Sequence, residues 1–337
     1  MGLDLFGRSL VARGKANADL SAARFEVEGA RASLAANVAQ QVFQVRGLDI
    51  QLADADETVR IQDALYRMAV TKAERGLVSS SDAERVNADL SQAKAEQARL
   101  KAELQAAKRS LLVLVGRGSE PTSSLVLTSA LGTVPEVPVT VPSSLLQRRP
   151  DVRESEARLR SAMGLRTLSR MALFPTFTLL PGVGWSDGQT ASYGSTTSFW
   201  SLSAGMSVPI LDLPRLVQQI KVQNARTRQA AIGYQKTVQT AFGETENTLA
   251  RLAADRVRVR LLAAGEASGR TAYLAAEKKY AAGLIDLASA MDAERAWRGS
   301  RSAMTAAQVT ALQRSVQAFK ALGGGWPSTP EIAGSSR

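Results

Sequence analysis

The chain has 337 residues, a net charge of +11, aromatics at only 5% and a mean hydropathy of −0.09. It contains no cysteine and no histidine, which excludes disulfides, thiol nucleophiles, thiolate or imidazole metal sites, His-based triads and near-neutral imidazole switches. Lys and Arg are interspersed with Asp and Glu, and no basic run exceeds two residues, so the charge reads as solvated helix faces rather than a nucleic-acid surface.

Met1 is followed at once by GLDLFGRSL, which has neither the basic start nor the apolar stretch of a signal peptide. No run of 18 or more apolar residues encodes a transmembrane helix. The sequence therefore predicts either a cytosolic protein or a reading that begins after its true start. All eleven prolines lie between Pro121 and Pro214 or at Pro327 and Pro330. Since proline breaks helix interiors, the proline-free spans 9–119 and 215–326 are expected to be helical.

From Ser9 to about Arg75 no turn cluster interrupts the first span, which predicts one helix of roughly 100 Å at 1.5 Å per residue. Gly76 stands where such a helix needs a left-handed C-terminal residue. A return helix follows, with Ser81 as its expected N-cap and Glu84 completing a capping box. Along that helix Val86, Leu90, Ala93, Gln97, Leu100, Leu104, Ala107, Leu111 and Leu114 step alternately by 4 and 3, a heptad seam that packs against the first helix.

Residues 117–142 are rich in Pro, Ser and Thr and read as an extended linker. SSLLQRRPDVRESEARLRSAM then opens a helix. Pro150 suits its first turn, Asp151 and Glu154 complement the positive end of its dipole, and Glu154–Arg158 and Glu156–Arg160 form i,i+4 pairs. Helix-start chemistry is a sufficient reading of Arg148, Arg149 and Asp151.

Two strands come next. In FPTFTLLPGVGWS the odd positions Phe177, Leu179, Pro181, Val183 and Trp185 are apolar, with Leu180 breaking the alternation. In SFWSLSAGMSVPIL, Trp200, Leu202, Ala204, Met206, Val208 and Ile210 alternate with small or hydroxylic residues. A period of two reads as strand, and DGQTASYGSTT is the expected connection. The pattern fits an ordinary amphipathic hairpin packed on helices and equally a tilted outer-membrane hairpin, with Trp185 and Trp200 at the level of the interface. A lone hairpin is marginal in water, and three or more chains closing a barrel would remove its edges.

The last span repeats the first. A shift of 207 residues superposes Arg8 on Arg215, Tyr66 on Tyr273, Gly76 and Leu77 on Gly283 and Leu284, and Gly116 on Gly323, which indicates an internal duplication. Val238, Phe242, Thr245, Leu249 and Leu252 again step by 4 and 3. The expected division is 1–116 for the first helical hairpin, 117–170 for linker and helix, and 171–213 for the β-hairpin with its loop at 187–197. Residues 214–326 form the second helical hairpin and 327–337 a tail.

LDLFGR leading into a long helix, LLQRRPDVRESEARL, LFPTFTL, VPILDLPR, YQKTVQTAFGETENTL and LGGGW together resemble the outer-membrane factors of tripartite efflux systems, in their TolC-like, NodT-type lipoprotein branch. The resemblance implies a mainly α fold with a transmembrane β-hairpin: a homotrimer whose small outer-membrane β-barrel continues into a long periplasmic α-barrel. It also implies a periplasmic adaptor, an inner-membrane RND pump and outer-membrane lipid as partners, no cofactor and no chemistry. Phe177, Leu179, Val183, Trp185, Trp200, Leu202, Met206 and Val208 would then face the membrane, with Gly76 and Gly283 at the helix turns. Family members carry a hairpin before each long helix, and this chain begins at the end of the first. Three such chains supply six strands where the family uses twelve.

The resemblance places the periplasmic gate at Asp82, Asp292 and Tyr280. Three copies of each carboxylate would repel one another and favour cations. Ser289 stands at the repeat position of Asp82, and Ile285 replaces a basic residue used by some members in a gate ion pair. Helix-start chemistry for the two Asp and packing for Tyr280 are equal alternatives. A cytosolic coiled-coil scaffold or helical nucleic-acid-binding protein is the alternative function. A periplasmic adaptor would need β-rich domains around one helical hairpin, and no phosphate loop, metal cluster or nucleophile constellation points to an enzyme.

Overall fold

A computed structural model describes residues 2–76, 79–128, 130–135, 148–190 and 193–324. In chain order these form β1 (Gly2–Leu3), α1 (Arg8–Glu74), α2 (Ser80–Leu114), a 3-10 turn (Thr122–Ser124), α3 (Pro150–Met171), β2 (Thr176–Thr190), β3 (Tyr193–Ser207), α4 (Leu213–Ala281) and α5 (Leu287–Ala321). The expected tail at 327–337 and the linker residues 136–147 lie outside the described residues.

The duplication is visible in the element bounds. Shifted by 207, the end of α1 at Glu74 falls on Ala281, the end of α4, and the 80–114 span of α2 becomes 287–321, the span of α5. Gly76, Gly116, Gly283 and Gly323 all hold positive φ, at 70°, 76°, 71° and 90°, a conformation that costs residues with a Cβ about 1–2 kcal/mol. Behind them, Arg117 N–H reaches the Leu112 carbonyl at 2.7 Å, Leu284 N–H that of Lys279 at 2.8 Å and Gly324 N–H that of Phe319 at 2.9 Å. These bonds close the helix ends in Schellman fashion.

The cap of α2 differs from expectation. Ser79, not Ser81, is the N-cap, its hydroxyl accepting from Ser81 N–H at 3.2 Å. Extended backbone at Ser79, with ψ at 147°, defines the cap, and Ser81 already has helical geometry. In α5, Asp286 plays this part, accepting from Ser289 N–H at 2.9 Å. The Ser289 hydroxyl, together with that backbone bond, lowers the Asp286 pKa.

The chain divides into two units, Met1–Gly29 with Pro142–Phe242, and Ala30–Val141 with Gly243–Arg337. In the first, Pro150 occupies the first turn of α3 behind Arg149 as N-cap. The Arg149 side chain is nearly buried. Its guanidinium forks onto Asp151, with Nε to Oδ1 at 3.0 Å and Nη2 to Oδ2 at 2.7 Å, and Nη1 donates to the Ala241 carbonyl of α4 at 3.3 Å. Helix-start chemistry therefore covers only part of Arg149, which also pins α3 to α4. The Glu154–Arg158 and Glu156–Arg160 pairs form as the spacing predicts.

In the second unit the α2 seam is the core. Leu100, Leu104, Ala107 and Leu111 pack with Val45, Leu48 and Ala55 of α1. Gln97, the polar member of the heptad, donates to Asp56 at 2.7 Å. The corresponding seam on α4 is covered only in part: Thr245 and Leu252 are buried, while Phe242, in the first unit, is half exposed. A second cluster joins Leu131, Val309 and Leu312.

Candidate membrane hairpin and channel tip

Strand length is the main departure in the β-hairpin. The ladder runs from Thr176 opposite Ser207 to Thr190 opposite Tyr193, so residues 187–190 and 193–197 of the expected loop are strand, and 191–192 lie outside the described residues. The segment carries a turn-forming dipeptide, Asp187-Gly188, yet both residues sit in the ladder opposite Thr196 and Ser195; Thr196 Oγ1 donates to Asp187 at 3.2 Å across it. At the other end Val208, predicted as a strand residue, lies one position past the last pair, because Pro209 has no N–H to give the ladder. Gly2 and Leu3 pair with Thr178 and Phe177 as a third strand.

Register decides which side chains share a face. Phe177 lies opposite Met206, Leu179 opposite Ala204, Pro181 opposite Leu202 and Val183 opposite Trp200, so the apolar positions of both strands combine on one side. Val183, Trp185 and Trp200 are 89%, 82% and 80% exposed. At the base the same face is covered: Phe6 stacks on Phe174 with centroids 5.0 Å apart and lies 6.4 Å from Phe177. The opposite face is small and hydroxylic, with Leu180 opposite Ser203 and Phe199 opposite Gly184 as exceptions. A Cβ on Gly184 would come within 2.6 Å of the Phe199 ring, so glycine there lets the ring lie over the strand.

The helix turns gather different chemistry. Tyr280, in the last turn of α4, accepts a hydrogen bond from Lys72 Nζ at 3.4 Å, and the ammonium lies 5.2 Å from the ring centre. Lys72 belongs to the last turn of α1, where a cation also meets the negative end of the dipole. Asp292 is bound by Arg295 at 3.0 Å, and the same guanidinium reaches Asp89 of α2 at 2.9 Å. Asp82 is exposed in the first turn of α2 and forms no ion pair among the described residues. Tyr280 is thus tied across helices by Lys72, Asp292 is held within α5 by the guanidinium that also reaches α2, and Asp82 stands apart from both.

Sequence reasoning missed Lys72, since α1 carries many scattered cations and nothing local marks this one. It also missed a polar band further along the hairpins. Arg301 pairs with Asp54 at 2.5 Å, Gln62 Nε2 donates to Glu294 at 3.0 Å, and Trp297 stacks on Tyr273 at 5.0 Å while its indole N–H reaches Glu266 at 2.9 Å. Burial pushes the pKa of Asp54, Glu294 and Tyr273 upward, against the pull of Arg301 for Asp54 and Arg298 for Glu294. Asp54, Asp89, Arg295, Trp297 and Arg301 line a groove of about 450 Å³ between α1, α2 and α5. Among the described residues no helix is long and apolar enough to cross a membrane, and no cluster of three or more acidic residues is arranged to hold a metal ion.

Long duplicated helical hairpins joined to a two-faced β-hairpin define the chain's class. It belongs to the outer membrane efflux protein family, matched over residues 1–117 and 141–324. Among its relatives, the cation efflux system protein CusC of Escherichia coli O6:H1 is 26% identical over 87% of this chain and 64% of its own length. The pyoverdine export outer membrane protein OpmQ of Pseudomonas putida is 28% identical over 96% of this chain and 69% of its own. The solved structure of the outer-membrane channel OprN superposes with a TM-score of 0.85 at 26% identity, covering 96% of this chain and 74% of that one. The chain therefore spans about two thirds of the length of these relatives.

Proposed function

We propose that the chain is the outer-membrane conduit of a tripartite efflux system, working as a homotrimer with a periplasmic adaptor and an inner-membrane RND pump. In this reading it carries substrate passively through periplasm and outer membrane and performs no chemistry of its own. The observation that carries it is the β-hairpin ladder, whose apolar side chains share one exposed face. Covering a large apolar side chain is worth about 1.5–3 kcal/mol, and lipid supplies that cover for Val183, Trp185, Trp200, Leu202 and Met206. The small hydroxylic face then lines the lumen.

The helix turns form the periplasmic tip in this reading, and Asp82, Asp292 and Tyr280 its gate. Lys72 holds Tyr280, and Arg295, while holding Asp292 on its own helix, reaches Asp89 of α2, so in this reading the closed state rests on the Lys72–Tyr280 and Arg295–Asp89 contacts between the two repeats. Envelope fractionation followed by reconstitution in planar bilayers tests the proposal. The expected result is a detergent-extracted trimer with discrete cation-selective conductance, lowered in selectivity by Asp82→Asn with Asp292→Asn. A monomer that stays soluble away from envelope membranes and conducts nothing would overturn it.

A further inference from the structure

Three buried polar atoms in the band between the repeats make no hydrogen bond: Glu294 Oε1, Gln62 Oε1 and Arg298 Nε. Glu294 and Gln62 are 2% and 1% exposed, and buried acceptors are costly when left unmatched. Gln62 Nε2 donates to Glu294 Oε2 at 3.0 Å and so links α1 to α5. Arg298, one turn further along α5, brings Nε to 3.4 Å from Glu294 Oε1, an ion pair without hydrogen-bond geometry.

One proton resolves most of this. A neutral carboxyl has a hydroxyl to donate as well as a carbonyl to accept. Protonated on Oε1, Glu294 can donate to Gln62 Oε1 while Oε2 still accepts from Gln62 Nε2, the side-by-side pair of an acid with an amide. An ionised Glu294 has no donor, leaves Gln62 Oε1 facing negative charge, and finds its nearest additional donor in Arg298. We propose that Glu294 is a proton-binding site between the repeats: protonated, it pairs doubly with Gln62 on α1, and ionised, it releases that proton to solvent and turns to Arg298 on its own helix.

The surrounding charges divide. Arg298 and Arg295 of α5 favour the ionised form, whereas Asp89 of α2 and Glu277 of α4 oppose it, and Tyr273 of α4 lies in the same field. Arg295 also pairs with Asp89 and Asp292, and the Asp89 charge offsets part of its pull on Glu294. Burial of the carboxyl outweighs these charges and raises its pKa. The folded protein then binds more protons than the unfolded chain between the ordinary Glu pKa and the raised one. Stability of the joint therefore grows as pH falls through that window and is lost as pH rises through the raised pKa. The proposal concerns the protomer and does not depend on the conduit reading.

Hydrogen exchange and thermal unfolding of the full chain in detergent, between about pH 5 and 8 at constant ionic strength, test it. Wild type should show amides around Gln62 and Glu294 that open up to tenfold more readily per pH unit of rise, after correction for the intrinsic rate. Glu294→Gln keeps both bonds as an amide pair, so it should stay protected at the acid level throughout with the local slope abolished. Arg298→Gln removes the partner of the ionised form and should move the transition to higher pH.

Three results overturn the proposal: Glu294→Gln with the wild-type slope, Glu294→Gln less protected at every pH, or protection that tracks cation concentration instead of pH. Should Glu294→Gln not fold, infrared spectroscopy decides. A protonated-carboxyl band that titrates in this range and moves in Gln62→Leu supports the site, and its absence refutes it.

Discussion

Substituting Gly47 with Ala should destabilise the α1–α5 packing even though alanine is the better helix former. Gly47 is buried in α1, and a Cβ placed there would lie 2.3 Å from Val309 Cγ2 and 3.5 Å from Val309 Cβ. Carbon atoms pack at about 3.5–4 Å, so one helix must move by more than an ångström or Val309 must leave its rotamer. The second route is closed, because a β-branched side chain in a helix has essentially one χ1 well. Overpacking of this severity costs up to about 3 kcal/mol, and exchanging Gly for Ala in a helix returns about 1 kcal/mol.

The expected net loss for Gly47→Ala is therefore about 2 kcal/mol, read as a lower thermal midpoint and faster hydrogen exchange around residues 43–50. Val309→Ala opens room for the new methyl. The double variant should accordingly be more stable than the sum of the single effects by up to about 3 kcal/mol, the overpacking it relieves. If Gly47→Ala stabilises the protein, or if the two effects add to within about 0.5 kcal/mol, the contact is not the reason glycine stands at this position.

Other substitutions test the remaining features. Gly283→Ala forces a Cβ into left-handed backbone and should cost about 1–2 kcal/mol, whereas Gly265→Ala, a helical glycine with open space around its Cβ position, should be neutral or stabilising by circular-dichroism melting. Arg149→Lys loses the fork onto Asp151 and should cost about 1–3 kcal/mol, a loss that Asp151→Asn would in part reproduce. Tyr280→Phe with Lys72→Met removes the tie between the two turns and should raise open probability severalfold in planar bilayers without altering trimer yield; unchanged gating would reject the tie as part of the gate. Gly184→Ala should displace the Phe199 ring and lower hairpin protection, and Gly184→Ala with Phe199→Ser should restore it, as measured by exchange across β2 and β3.

Much of the fold was legible because its signals are local. A heptad seam, a proline-free span, a lone turn glycine and an alternation of period two each depend on residues a few positions apart, so α2, the turns at Gly76 and Gly283 and the two-faced hairpin follow from spacing alone. The duplication was legible too, since one offset relates equal helix lengths. Boundaries were less so: Ser79 and Ser81 are both competent caps, and backbone geometry chooses between them. DGQTASYGSTT offers Asp-Gly as a turn signal, and the ladder nevertheless runs through it.

What only tertiary structure decided are the pairs that bind one repeat to the other. Lys72 with Tyr280, Gln62 with Glu294 and Gly47 with Val309 join residues hundreds of positions apart. In sequence they are one cation among many, one helical glutamate and a glycine that weakens its helix. Periodicity tells which face of a helix is buried, but it carries no information on which neighbour covers that face or at what height. The folded arrangement settles both, and so it alone shows that a carboxylate is starved of donors and that a missing side chain is the condition for two long helices to touch.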